Sequence, residues 1–116
     1  MRDYERLNRP VIVSLPAEID MANEEDVSEQ LRAAFAPGVT VVIADLSSTV
    51  FCGTSGARQL MLARKRAVAS NCELRVVISS AGVLRVLAIL GLDRELEIYP
   101  DLAAALATDG QGNASG

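Results

Sequence analysis

The residues best suited to chemistry lie in one stretch, Asp45-Leu46-Ser47-Ser48-Thr49-Val50-Phe51-Cys52-Gly53-Thr54-Ser55-Gly56. It follows an apolar run, Val39-Thr40-Val41-Val42-Ile43-Ala44, and leads into a helical pattern from about Ala57. The order of buried strand, polar loop, two hydroxyls and a glycine puts Thr54 and Ser55 at a helix N-terminus. Open backbone N–H groups and the positive end of the helix dipole favour an anion there. A hydroxyl in that position either caps the helix or accepts a phosphoryl group, and the residue types leave both readings open. Asp45 reads as closing its strand through an Asx turn, with a charge near a phosphate as the second reading.

Other chemistries lack their reagents. The 116 residues contain no His, which removes Ser-His-Asp and Cys-His catalysis and most zinc sites. The glycines form neither Gly-x-Gly-x-x-Gly nor a phosphate-binding Gly-Lys-Ser/Thr loop, and the carboxylates are scattered. The chain therefore reads as a non-enzyme with no catalytic residues, no metal and no cofactor. Cys52 and Cys72 flank two neighbouring strands joined by a helix, at opposite edges of the sheet. A six-residue strand separates them by ~20 Å, whereas a disulfide needs Cα atoms within about 7 Å. Both read as small thiols, buried or half-buried.

The net charge of −4 argues against nucleic acid or an anionic membrane as partner. The one basic cluster, Arg64-Lys65-Arg66, lies mid-helix and reads as a solvated face. No charged segment followed by an apolar one opens the chain, and no apolar run approaches the ~20 residues that span a bilayer. The expectation is a cytoplasmic protein without membrane insertion.

Strands and helices alternate to position that stretch. Residues 2–8 read as a possible edge strand, and Val11 to Leu15 as a short apolar strand limited by Pro16. Asp20 to Asn23 makes a loop, with Asn23 the N-cap of a helix at 23–35 whose first turn holds Glu24, Glu25 and Asp26. Pro37-Gly38 ends it. After the strand at 39–44 and the loop comes a helix at 55–69, with Ala57, Leu60, Met61, Ala67 and Val68 on one side. A strand at 73–78 follows. Ser79-Ser80 then caps a helix at 81–90 closed by Gly91. A strand at 95–98 precedes a last helix at 101–107, with Pro100 at its first position. Val13, Leu31, Val41, Ile43, Leu60, Val76, Ile78, Val86 and Leu90 form the expected core. Residues 1–107 make one α/β domain, a small mixed sheet with its first strands antiparallel and its helices mostly on one face. Residues 108–116 carry no apolar anchor and read as a disordered tail.

The ordered landmarks Ala17-Glu18-Ile19-Asp20, Asp45-Leu46-Ser47, Phe51-Cys52-Gly53-Thr54-Ser55-Gly56 and Leu90-Gly91-Leu92 resemble the STAS domain of bacterial anti-sigma factor antagonists. The similarity runs over residues 8 to 107. It implies binding to an anti-sigma factor of the GHKL ATPase/kinase fold, which frees a sigma factor. It also implies phosphorylation by that kinase of a hydroxyl that maps to Thr54, with Ser55 the alternative one residue on. Asp20, Asn23, Thr54, Ser55, Gly56 and Arg58 would form the partner surface. Two positions depart: Gly53 stands where the family has Asp beside the acceptor, and Ala17 where it has Gly. Gly53 supplies no carboxylate to orient the hydroxyl, so a permanently active antagonist is the competing expectation. An adaptor STAS domain in a stress-signalling complex or a lipid transport system is the alternative role.

Overall fold

The computed structural model describes residues 9–107. β1 (Val11–Ser14), β3 (Val41–Leu46), β5 (Glu73–Ile78) and β6 (Glu97–Tyr99) form a four-stranded sheet in that order. Two further short strands, β2 (Glu18–Ile19) and β4 (Phe51–Cys52), pair with each other. Every pairing among the described residues is parallel. The expected antiparallel join involves residues 2–8, and the expected tail is 108–116; both lie outside the described residues.

The helices are α1 (Glu24–Ala34), α2 (Thr54–Ala69), α3 (Ala81–Ile89) and α4 at 102–107. A 3₁₀ turn, Leu92–Arg94, precedes β6. Val42, Ala44, Leu46, Leu74, Val76 and Ile78 point to one face of the sheet. There they pack with Val27 and Leu31 of α1, Leu60 and Ala63 of α2, and Val83 and Leu87 of α3. Alternation along the strands sends Val41, Ile43 and Val77 to the other face, under Leu102 and Ala105 of α4. Three helices thus cover one face and one short helix the other, as the sequence implied.

Several boundaries move for identifiable reasons. β3 runs to Leu46 instead of stopping at Ala44, because β5 holds Asp45 and Leu46 in register with Val77 and Ile78, and β1 sets Ser14 beside Asp45. The polar residue does not end the strand, and Leu46 beyond it returns to the face of Val42 and Ala44. β2 and β4, two residues each, carry too little pattern to be seen in the sequence. Asp101 stands before α4 as its cap, its Oδ1 accepting from Ala104 N at 2.8 Å, so the helix starts at 102 instead of 101 and Pro100 lies outside it.

Most of the expected core is buried, but Val13 and Val86 are half-buried, and Leu90 is exposed at the end of α3. Val83 and Leu87, one turn apart, take the inward face instead. Val68 is also exposed, since it lies on the outward side of the last turn of α2 while Ala67 beside it faces the core. Gly91 closes α3 with φ of 77°, a left-handed conformation that favours glycine.

A buried arginine ties the far face together. Arg75, on β5, donates from Nε to Glu73 Oε2 at 2.8 Å and from Nη1 to Ala105 O at 2.8 Å. Glu97 on β6 lies across from Arg75 in register. Hydrogen bonding to Arg75 holds the Glu73 carboxyl low, while burial and the neighbouring Glu73 push Glu97 up.

Candidate functional site

In a parallel sheet every strand ends on the same edge, and the connections leaving that edge form one surface. Here β2 and β4 organise it. Val50 N and Phe51 N donate to Ala17 O at 2.8 and 3.2 Å, and Gly53 N donates to Ile19 O at 3.1 Å. Thr49, buried, adds a bond from Oγ1 to Pro16 O at 2.8 Å. These bonds fix the loop after β3 against the loop after β1, and so set where α2 begins.

The loop after β2 is wound on itself. Asp20 Oδ1 accepts from Ala22 N at 2.9 Å. Asn23 Oδ1 accepts from Asp20 N at 3.0 Å, and its Nδ2 donates to Glu18 O at 2.7 Å. Asn23 holds the N-cap position through its backbone oxygen, which accepts from Val27 N, but its side chain makes no cap bond. The expected side-chain cap is replaced by a loop clasp, because Asn23 Oδ1 is already taken by Asp20 N while Nδ2 anchors on the Glu18 carbonyl. Asp45 makes the Asx turn read from the sequence, its Oδ1 accepting from Ser47 N at 3.0 Å.

At the start of α2 the four neighbouring residues divide sharply. Thr54 is exposed at the first helical position. Ser55 and Gly56 face inward and are buried. A Cβ on Gly56 would lie 2.5 Å from Cys52 Sγ and 2.9 Å from Ile19 Cγ2, so only glycine lets the first turn sit on β2 and β4. Gly53 is different. Its φ of −81° and ψ of −173° suit any residue, and a Cβ there would meet the Phe51 ring at 3.6 Å, an ordinary contact. Neither Thr54 nor Ser55 caps α2, since Gly53 is the N-cap and no side chain bonds the first turn.

Arg58, one turn below Thr54, reaches across to α1 and donates from Nη1 to Glu24 Oε2 at 2.9 Å. Gln59, buried, donates from Nε2 to the same oxygen at 2.9 Å. Glu24 thus brings the first turns of α1 and α2 together. Three apolar side chains of the segments that pair as β2 and β4 or adjoin them, Met21, Val50 and Phe51, are exposed.

The structure therefore gathers Asp20, Asn23, Thr54 and Arg58 on one edge and turns Ser55 and Gly56 into the packing beneath it. Glu24, Gln59, Met21, Val50 and Phe51 were missed from the sequence. Glu24 looked like any first-turn acid, whereas three large apolar residues in loops were a signal that went unused. Cys52 lies under this edge and burial pushes its thiol up; Cys72 sits at the opposite edge, before β5, and is also raised, chiefly by burial. No described helix is long and apolar enough to cross a membrane.

A family model, the STAS domain, matches residues 1–105. The chain belongs to the STAS domain family. Among solved structures, this STAS domain is similar to an anti-sigma factor antagonist from Mycobacterium paratuberculosis, with a TM-score of 0.76 and 27% identity over 84% of this chain and 82% of that one. It shares its fold with a sulfate transporter family protein from Wolinella succinogenes, TM-score 0.77 and 13% identity over 88% and 85% of the two chains. The same fold occurs in an anti-sigma factor antagonist candidate from Thermotoga maritima, TM-score 0.73 and 19% identity over 83% and 85%. No curated protein matches the chain.

Proposed function

We propose that this STAS domain is an anti-sigma factor antagonist, a cytoplasmic binding protein that captures an anti-sigma factor of the GHKL ATPase/kinase fold and so releases a sigma factor. The observation that carries the reading is the exposed, unbonded edge at the start of α2. There Thr54 stands free of any capping role, and Met21, Val50 and Phe51, on or beside β2 and β4, are exposed. Apolar residues left in water on an ordered edge suit a protein partner. The likeness to the Mycobacterium paratuberculosis antagonist supports the class of that partner.

Thr54 is the proposed phosphoacceptor. Its Oγ1 forms the new bond to the γ-phosphorus of ATP held with Mg²⁺ by the kinase, the γ-phosphorus–bridging-oxygen bond breaks, ADP leaves, and the hydroxyl proton passes to solvent. The chain itself contributes position, since Gly53 provides no carboxylate beside the hydroxyl. The phosphate adds about −1.5 to −2 charges at the partner surface. The helix start tolerates that charge, so the domain stays folded while the complex separates.

Capture of the native partner with the tagged chain, followed by identification of the captured protein, tests the binding role. An ATPase-fold anti-sigma factor is the expected result; a transporter or a stress-signalling assembly instead would overturn it. Arg58→Glu combined with Asp20→Lys is expected to weaken the complex while the fold persists. Incubation with the captured kinase and labelled ATP then locates the acceptor: label on Thr54 supports the switch, label on Ser55 moves it by one residue, and no label with binding intact leaves a permanently active antagonist.

A further inference from the structure

Resting on the reading of Thr54 as phosphoacceptor, we propose that its phosphate takes the Arg58 guanidinium away from Glu24, so that modification moves a cation off the seam between α1 and α2 and leaves Gln59 alone to hold Glu24 there. Thr54 and Arg58 are four residues apart on α2, both exposed, and so face each other across one helical turn. Helical side chains lean toward the N-terminus, which carries the Arg58 side chain toward Thr54. The order, anion first and cation four residues later, is the favourable one.

In the unmodified chain Arg58 is held elsewhere. Its Nη1 bonds Glu24 Oε2 at 2.9 Å, with the arginine side chain 61% exposed and the glutamate 20% exposed. Such a pair is weakly held because water competes for the exposed guanidinium. A phosphate offers a greater charge and three acceptor oxygens, a stronger match for the guanidinium fork than one shared carboxylate oxygen. Glu24 is not left bare when Arg58 departs, because Gln59 Nε2 still donates to the same Oε2 at 2.9 Å. The exchange thus leaves no unpaired carboxylate in the seam. It moves the Arg58 cation from Glu24 onto the phosphate, which offsets part of the new negative charge at the partner surface.

The test uses the chain made with phosphothreonine at position 54, which needs neither kinase nor partner. Phosphorus NMR follows the second ionisation of the phosphate, near pH 6 in a free phosphothreonine. Pairing with Arg58 should place it about 0.3 pH units lower than in the Arg58→Gln phosphoprotein, the size of an exposed pair at this spacing. The helix start acts equally in both proteins, so the difference isolates Arg58. Glu24→Gln should lower it further by removing the competitor, and the Arg58 Nε–H resonance should move on phosphorylation. Equal phosphate titrations with and without Arg58 overturn the proposal, as does a Glu24→Gln protein that titrates like the parent. Failure to find an anti-sigma factor partner would instead overturn the functional reading and leave these titrations unchanged.

Discussion

Two helices start at the same edge of the sheet and are finished in opposite ways. α3 begins with Ser80, whose Oγ accepts from Val83 N at 3.3 Å, and Ser79 Oγ beside it donates to Pro100 O at 3.1 Å. Each hydroxyl there is engaged. α2 begins with Gly53 as its N-cap, no side chain caps it, and Thr54 beside it is exposed. The amino-acid types are alike, two serines at one start and a threonine and a serine at the other. Their use differs because the α2 start is seated by backbone pairing of β2 with β4 and by Gly56, which frees its hydroxyl from structural duty. A helix start that the fold does not need its hydroxyl to hold is one that can be modified without unfolding the domain.

The comparison breaks most visibly at the seat itself. Gly56→Val should push a branched side chain into Cys52 and Ile19 and cost about 2–3 kcal/mol, lowering Tm by on the order of 10 °C. Thermal unfolding that matches the parent would show that the first turn does not depend on this close approach. Next in size is Ser80→Ala, which removes a working cap and should cost about 1 kcal/mol in denaturant unfolding. A neutral result would erase the contrast between the two starts.

Gly53→Asp should run the other way. The backbone suits an L residue, the space is open, and a carboxylate at the N-cap should stabilise α2 by about 0.5–1 kcal/mol. Loss of stability would mean that Gly53 serves the fold. The smallest effect belongs to Thr54→Ala, expected to stay within about ±0.5 kcal/mol of the parent. If it cost as much as Ser80→Ala, Thr54 would be a cap after all, and the free hydroxyl on which the switch rests would be gone.

The alternation of apolar strands with helical patterns was strong enough to place four strands and four helices, because burial on one or both faces imposes a period that the sequence cannot hide. Buried Leu31, Ile43, Leu60 and Val76 are visible in that period. Leu90 misled because it follows the end of its helix, and Val68 because it sits one residue round from buried Ala67, on the outward side. Asn23 stands at the N-cap as expected, but its side chain does not cap, because propensity describes a helix start in isolation and Asp20 N, which takes its Oδ1, was not in that account.

What the sequence determined by itself is the chemistry within reach: no histidine to act as a base, one stretch of hydroxyls and glycine between a strand and a helix, and the STAS grammar that contains it. What only the tertiary structure decided is the direction in which each of those groups faces. Thr54 and Ser55 are adjacent in sequence and near-equivalent as hydroxyls, yet one is exposed and the other buried. Successive residues turn by about 100° around a helix, and which direction is outward is set by where the helix lies. That placement comes from β2 pairing with β4 and from Glu24 meeting Arg58 and Gln59, contacts between segments more than thirty residues apart.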